Sequence, residues 1–281
     1  MMGEPTGLWM YAVTPGGLEL EHLNGLEGVG GGEPRAVEAA GLVAVVEAVP
    51  LTEFGEEALH HNLENLSWLE KVARAHDAVI AAVTKDVSAV PLRLATVCLD
   101  DDRVRAILKE RSAEFSKALR LIEGRSEWGL RAHLRRADDT SGTTAGSTGQ
   151  AKRSSGTVQR GAGAAYLQRR RTQLTARQEA ERAAAEAVNA VHQELCKYAV
   201  GARRQPPPSQ QLTGTAEPVL LNGTYLVDQA RTGDFLAAVE EMQATSPALR
   251  LVLTGPWPPY SFTAAAQATV PTTRGGGEQS R

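Results

Sequence analysis

Histidines, cysteines and arginines are the residue types in this chain best suited to chemistry, and their spacing decides what they could do. His60 and His61 are neighbours and so face apart on a helix, and His76 lies about four turns further on. No HxxxH or HExxH spacing occurs, so no metal site is expected. His76 reads as a helix-face histidine paired with Asp77 or a backbone group. Cys98 and Cys196 are far apart, lack CxxC spacing, and are not matched by spacing to a histidine. Both are expected to be reduced, buried small hydrophobes. The glycines at 28 and 30–32 run into Glu33 and Pro34, with no GK[ST] and no GxGxxG opening a helix, so no phosphate cradle is expected. There is no GxSxG. The carboxylates fall mostly on helix faces, where solvation explains them. Arg93 interrupts an apolar strand; a buried ion pair and an exposed position both stay open, and neither is catalytic. No catalytic residue, metal or cofactor is expected.

Two clusters point to binding instead. The first is LTGPWPPYSF, residues 253–262. Only four Trp and four Phe occur in the chain, and two of these eight sit here among three prolines. Prolines fix φ and remove donors, so the preceding strand cannot extend through them. One reading is a rigid exit whose aromatics pack back over the fold. The other is a preordered partner-docking surface of Trp257, Pro258, Pro259 and Tyr260. The second cluster is Tyr166 with Arg169, Arg170 and Arg171. Adjacent helical arginines spread about 100° apart. A solvated face and a docking patch for an acidic partner are both open. Nucleic acid is not expected, because net charge is −3 and no interleaved aromatics form a stacking platform.

The elements that must position these residues follow from pattern. Hydrophobic content of 42% and charged content of 22% are those of a globular protein. Residues 7–14, 41–50, 89–100 and 126–136 read as strands. Leu59, Leu63, Leu66, Leu69, Ala73, Ile80 and Val83 mark a helical stripe. Asp100 to Asp102 open a further helix, with Val104, Ile107, Leu108, Phe115, Leu119 and Ile122 on one face. Gly124 stops it. This order predicts an α+β, ferredoxin-like N-terminal domain over 1–137, with its helices on one face of an antiparallel sheet. Residues 138–161 are almost all Ser, Thr, Gly and charge, and read as a flexible linker. A C-terminal α+β domain is expected over 162–263. It begins with one long helix or two over 164–200, whose Ala184, Val188, Val191, Leu195 and Tyr198 form a coiled-coil-like seam. A strand or hairpin at 218–228, with Asn222-Gly223 as a possible turn, a helix at 232–244 and a strand at 249–256 complete it. Residues 264–281 read as a disordered tail. No signal peptide or membrane span is expected, which places the protein in the cytoplasm.

These landmarks also occur together in one known family. WMYAVT near the start, WLEKVARAHDAVI at 68–80, VPLRLATV at 90–97, EWGLR at 127–131, AAYLQRRR at 164–171, NGTYLVD at 222–228 and the closing LRLVLTGPWPPYSF resemble the gas-vesicle protein F/L family in sequence and order. The long Ser/Thr/Gly segment at 138–161 departs from the family's shorter join. The resemblance implies an accessory protein for building gas vesicles, with no catalytic activity. It implies an N-terminal ferredoxin-like domain and a C-terminal α+β domain with long helices. The implied partners are the hydrophobic shell-forming protein and other gas vesicle accessory proteins, with the protein located in the cytoplasm or on the vesicle. A chaperone-like adaptor and a minor shell component both fit. The alternative from another class is an enzyme or small-molecule-binding protein on a ferredoxin-like scaffold.

Overall fold

The computed structural model describes residues 4–17, 23, 25–135, 162–206 and 219–263. The expected linker at 138–161 and tail at 264–281 lie outside them. The chain divides into two compact units. The first contains Met1–Trp128, Leu226–Gln229 and Gly255–Arg281; the second contains Gly129–Tyr225 and Ala230–Thr254.

The first unit is built on β1 (Thr6–Pro15), whose positions from Gly7 to Thr14 are all buried. It pairs antiparallel with β3 (Leu42–Pro50), which pairs antiparallel with β2 (Arg35–Ala39). On its other edge β1 meets two short bridges, β4 (Val90–Pro91) and β5 (Val97–Cys98). The single strand expected at 89–100 is thus two bridges around an irregular bend in which Ala95 takes φ 64°. That bend turns Arg93 out to solvent.

The register of β1 against β3 slips between Met10 and Ala12, so Tyr11 is the extra residue of a β-bulge. The bulge resets the alternation of faces. Leu8, Met10 and Val13 join one core, while Trp9, Tyr11 and Ala12 join another. The first core is closed by α4 (Asp101–Glu110) and α5 (Ser112–Ile122). The second is closed by α1 (Leu51–Phe54), α2 (Glu56–Asn62) and α3 (Leu66–Val83). Helices therefore cover both faces of this sheet, which corrects the expectation of one. Two apolar faces on one strand require two covering layers.

The expected helical stripes shift for local reasons. Asn65 caps α3 by accepting from the amides of Ser67 and Trp68, so the helical run breaks at residues 63–65. Leu63 and Leu66 consequently stay exposed, and the buried stripe runs through Val72, His76, Val79, Ile80 and Val83. Asp100 caps α4, as expected for the aspartate run. The helix expected to continue to Ile122 breaks at Arg111, yet its six expected apolar positions are all buried.

The second unit centres on a sheet ordered β7 (Gly201–Arg204), β8 (Val219–Asp228), β6 (Arg125–Leu134) and β9 (Leu249–Trp257). Strand β8 runs unbroken through Asn222 and Gly223, so no hairpin turn forms there. Two helices accompany the sheet and pack on each other: α6 (Ala162–Cys196), a single helix, and α7 (Thr232–Thr245). Ala184, Val188, Val191 and Leu195 of α6 are buried, as are Phe235, Ala238 and Val239 of α7. The seam of α6 is thus consumed by its own unit.

Candidate docking site at the C-terminal strap

Residues 255–263 form a strap within the first unit. Gly255 takes φ 125°, and a Cβ there would lie 2.9 Å from the Glu127 carbonyl oxygen and 3.1 Å from the Trp128 ring. Only glycine permits both. Beyond it, Pro259, Phe262 and Thr263 are buried. The buried Glu127 carboxylate accepts two hydrogen bonds from Ser261, one from the amide at 2.8 Å and one from the hydroxyl at 2.6 Å. The Thr263 hydroxyl donates to the Pro259 carbonyl at 3.1 Å.

Tyr260 packs on the second core, and its hydroxyl donates to Asp77 Oδ1 at 3.1 Å. Burial, then the Asp77 charge, pushes its phenol well above the usual range, so it stays a neutral donor. Trp257 is different. It is 56% exposed and stands at the rim of a groove of about 500 Å³. The other walls are Ala81 in the last turn of α3 with residues 84–89 after it, and Ile122 at the end of α5 with residues 124–126 leading into β6. Arg125 on that wall is held by Asp228 through its Nε at 2.7 Å.

Both readings of this stretch therefore hold, each for different residues. Tyr260 and Phe262 pack back; Trp257 faces out. Of the candidate residues, the structure gathers Trp257, Pro258, Pro259 and Tyr260 here. Arg170 and Arg171 are exposed on α6 in the second unit. The side chains of Tyr166 and Arg169 lie outside the described residues.

Two polar clusters escaped the sequence. The first surrounds Glu47, fully buried on β3. Its carboxylate accepts from the amides of Gly30 at 3.0 Å and Gly32 at 2.7 Å, and from the Tyr11 hydroxyl. The Tyr11 oxygen in turn accepts from the Val29 amide at 2.9 Å. Burial and the Glu47 contact push the Tyr11 phenol far up. The Gly-rich loop thus turns its amides on an internal carboxylate. The available signal was one glutamate in the apolar run LVAVVEAVP, with glycines at 28, 30 and 32. Beside this cluster, the Trp9 indole donates to His76 Nδ1 at 3.0 Å, and His76 Nε2 lies 3.2 Å from the Leu92 carbonyl. An imidazole accepting at one nitrogen and donating at the other is neutral. Burial lowers its pKa accordingly. Its partners are Trp9 and Leu92, not Asp77.

The second cluster corrects the statement that no cysteine matches a histidine. His192 and Cys196 are four apart on α6, with Cys196 Sγ 3.7 Å from His192 Nε2. His192 Nδ1 lies 2.8 Å from the Tyr225 hydroxyl. Burial raises the Cys196 thiol and lowers His192. Both shifts favour neutral forms, the opposite of an activated thiolate. Among the described residues, no group of three or more His, Cys, Asp or Glu side chains is placed to hold a metal ion.

The family model described as "Gas vesicle synthesis protein GvpL/GvpF" matches residues 7–264. Gas vesicle protein L of Streptomyces sp. (strain CB03234) is 36% identical over 253 residues, covering 90% of this chain and 91% of that protein. Gas vesicle protein F of the same strain is 27% identical over 208 residues, covering 71% and 80%. The crystal structure of gas vesicle protein GvpF from Anabaena sp. PCC7120 aligns with a TM-score of 0.61 at 16% identity, over 92% of this chain and 96% of that one. GvpF from Microcystis aeruginosa aligns at 0.58 and 13% identity, over 92% and 98%. At these identities the likeness shows a shared α+β fold of antiparallel sheets and helices.

Proposed function

The chain belongs to the GvpL/GvpF family of gas vesicle synthesis proteins, and from its resulting place in gas vesicle formation we propose a non-enzymatic assembly factor that binds the hydrophobic shell-forming protein. It acts as a chaperone-like adaptor or as a minor shell component, alongside other gas vesicle accessory proteins. A protein that builds an insoluble wall exposes apolar surface until it is incorporated, and that surface needs a soluble partner. This reading places the chain in the cytoplasm and on the growing vesicle. No described helix is long and apolar enough to cross a membrane.

The observation that carries the proposal is Trp257, exposed beside an open groove while its neighbours in the strap are fixed. A large aromatic on a preordered segment contributes contact area at little ordering cost. The groove and Trp257 then receive an apolar segment of the shell protein, with Pro258 and Pro259 lining the groove and Tyr260 holding the strap beneath them. Tyr166 and Arg169 to Arg171 form a second contact surface in this reading. The buried seam of α6 is not the client surface.

The layout belongs to the same reading: a ferredoxin-like domain over 1–137, widened by a second helical layer, and an α+β domain over 162–263, joined through 138–161, with two exchanges, β6 entering the sheet of the second unit and the strap at 255–263 belonging to the first. Limited proteolysis should cut first between 138 and 161 and leave two resistant fragments. A single resistant core spanning that segment would contradict the layout.

The binding test is co-purification of the co-expressed shell-forming protein with the tagged full chain. Trp257→Ala should reduce retention about tenfold or more. Undiminished retention by that variant removes the groove as the client site. The enzyme alternative gains nothing from His192 and Cys196, because their shifts oppose a reactive thiolate.

A further inference from the structure

The 35 residues of α6 divide into two halves of different character. From Ala184 onward the helix buries Ala184, Val188, Val191 and Leu195 at spacings of four, three and four. Every described side chain from Gln168 to Ala183 is exposed, including Arg170, Arg171, Leu174 and Glu179. Leu174 is 54% exposed.

The seven-residue register does not end at Ala184. Counting back by sevens from Val188 and Leu195 reaches positions 181, 174 and 167, which are Glu, Leu and Leu. Counting back from Ala184 and Val191 reaches 177 and 170, both Arg. A straight helix drifts by only about 20° per heptad, so Arg170 and Leu174 still lie on the continuation of the buried stripe. N-terminal to Glu181, that continuation alternates cationic and apolar residues. Between 162 and 183 there are five arginines and two glutamates, in a chain whose net charge is −3. Positive charge is therefore concentrated on the half of the helix whose described side chains are all exposed.

A helical segment whose described side chains are exposed, and whose sequence includes Thr172, Thr175 and Gly163, is marginal by itself in water. A stripe of this composition matches one chemistry best. We propose that the N-terminal half of α6 is a docking arm for an acidic amphipathic helix of a partner protein, with apolar residues against Leu174 and carboxylates against Arg170 and Arg171. A second copy of the arm would set arginine against arginine. The inference deepens the assembly-factor reading, on which it rests for a protein partner, by naming what the second contact surface recognises.

The test uses the full chain and a fluorescein-labelled acidic peptide of four heptads, with Leu at a and d and Glu at e and g. Its counterpart with Lys for Glu and a short DNA duplex are the comparison probes. Fluorescence anisotropy at low and high salt reads binding, and circular dichroism checks that each variant keeps its helix content. The acidic peptide should bind, weaken with salt, and lose about tenfold or more in affinity in the Arg170→Glu/Arg171→Glu chain and in Leu174→Glu. Equal binding of the lysine peptide, insensitivity to these substitutions, or tighter binding of the duplex would each overturn the proposal. Such a failure with Trp257-dependent retention of the shell protein intact removes only the arm. Loss of that retention with peptide binding intact removes only the groove.

Discussion

The Gly-rich loop at 25–34 and the C-terminal strap at 255–263 are both irregular segments pinned to the first unit by a buried glutamate. Glu47 holds the loop through the amides of Gly30 and Gly32, with Tyr11 alongside. Glu127 holds the strap through the amide and hydroxyl of Ser261. The outcomes differ. The loop turns inward, and Val29 joins the core. The strap turns Tyr260 and Phe262 inward but leaves Trp257 in water. The same anchoring device builds a core in one place and displays a side chain in the other. Anchoring is thus separable from display, and substitutions should separate them.

The largest effect is expected at Glu47. Glu47→Ala strands the donors of Gly30, Gly32 and Tyr11 in a dry site and should cost about 3–5 kcal/mol in urea denaturation. A cost near zero would mean the loop is not anchored there. Acid should act next, on the neighbouring His76. Its folded pKa lies below the unfolded value of about 6.5, so the unfolded chain binds the proton more tightly. Its contribution is fully present above about pH 6.5 and is lost as pH falls below that. The urea midpoint should therefore drop between about pH 7.5 and about pH 5.5, and this drop should shrink in His76→Gln. An unchanged drop in that variant would assign it to other groups.

On the strap, Glu127→Ala should cost about 2 kcal/mol by freeing Ser261. Tyr260→Phe removes one hydrogen bond to Asp77 and should cost about 1 kcal/mol. Trp257→Ala should change stability by less than Tyr260→Phe, by about 0.5 kcal/mol, because more than half of the residue is exposed. A fall for Trp257→Ala as large as for Glu127→Ala would erase the distinction between anchor and display.

Much of this was legible in the sequence. The apolar runs located β1, β3, β6 and β9, the aspartate run located the start of α4, and the ordered landmarks located the family. The covering of both sheet faces was not legible, because alternation along β1 is broken by the bulge at Tyr11 and period alone cannot show which helix meets which face. The breaks at Asn65 and Arg111 were hidden by apolar residues that continue the pattern across them. The Glu47 cluster joins residues 15 to 36 apart in sequence, and no spacing rule connects them. In the strap, the aromatic and proline types marked the site, but only the structure divides Trp257 from Tyr260. In α6 the seam was legible; that it is buried within its own unit, while every described side chain from Gln168 to Ala183 is exposed, was not.

The most direct measurement is gas vesicle formation in cells lacking this chain and supplied with Trp257→Ala at the wild-type level, with folding confirmed by an unchanged melting temperature. The adaptor reading predicts a folded protein that restores few or no vesicles. Full restoration by that variant would contradict it.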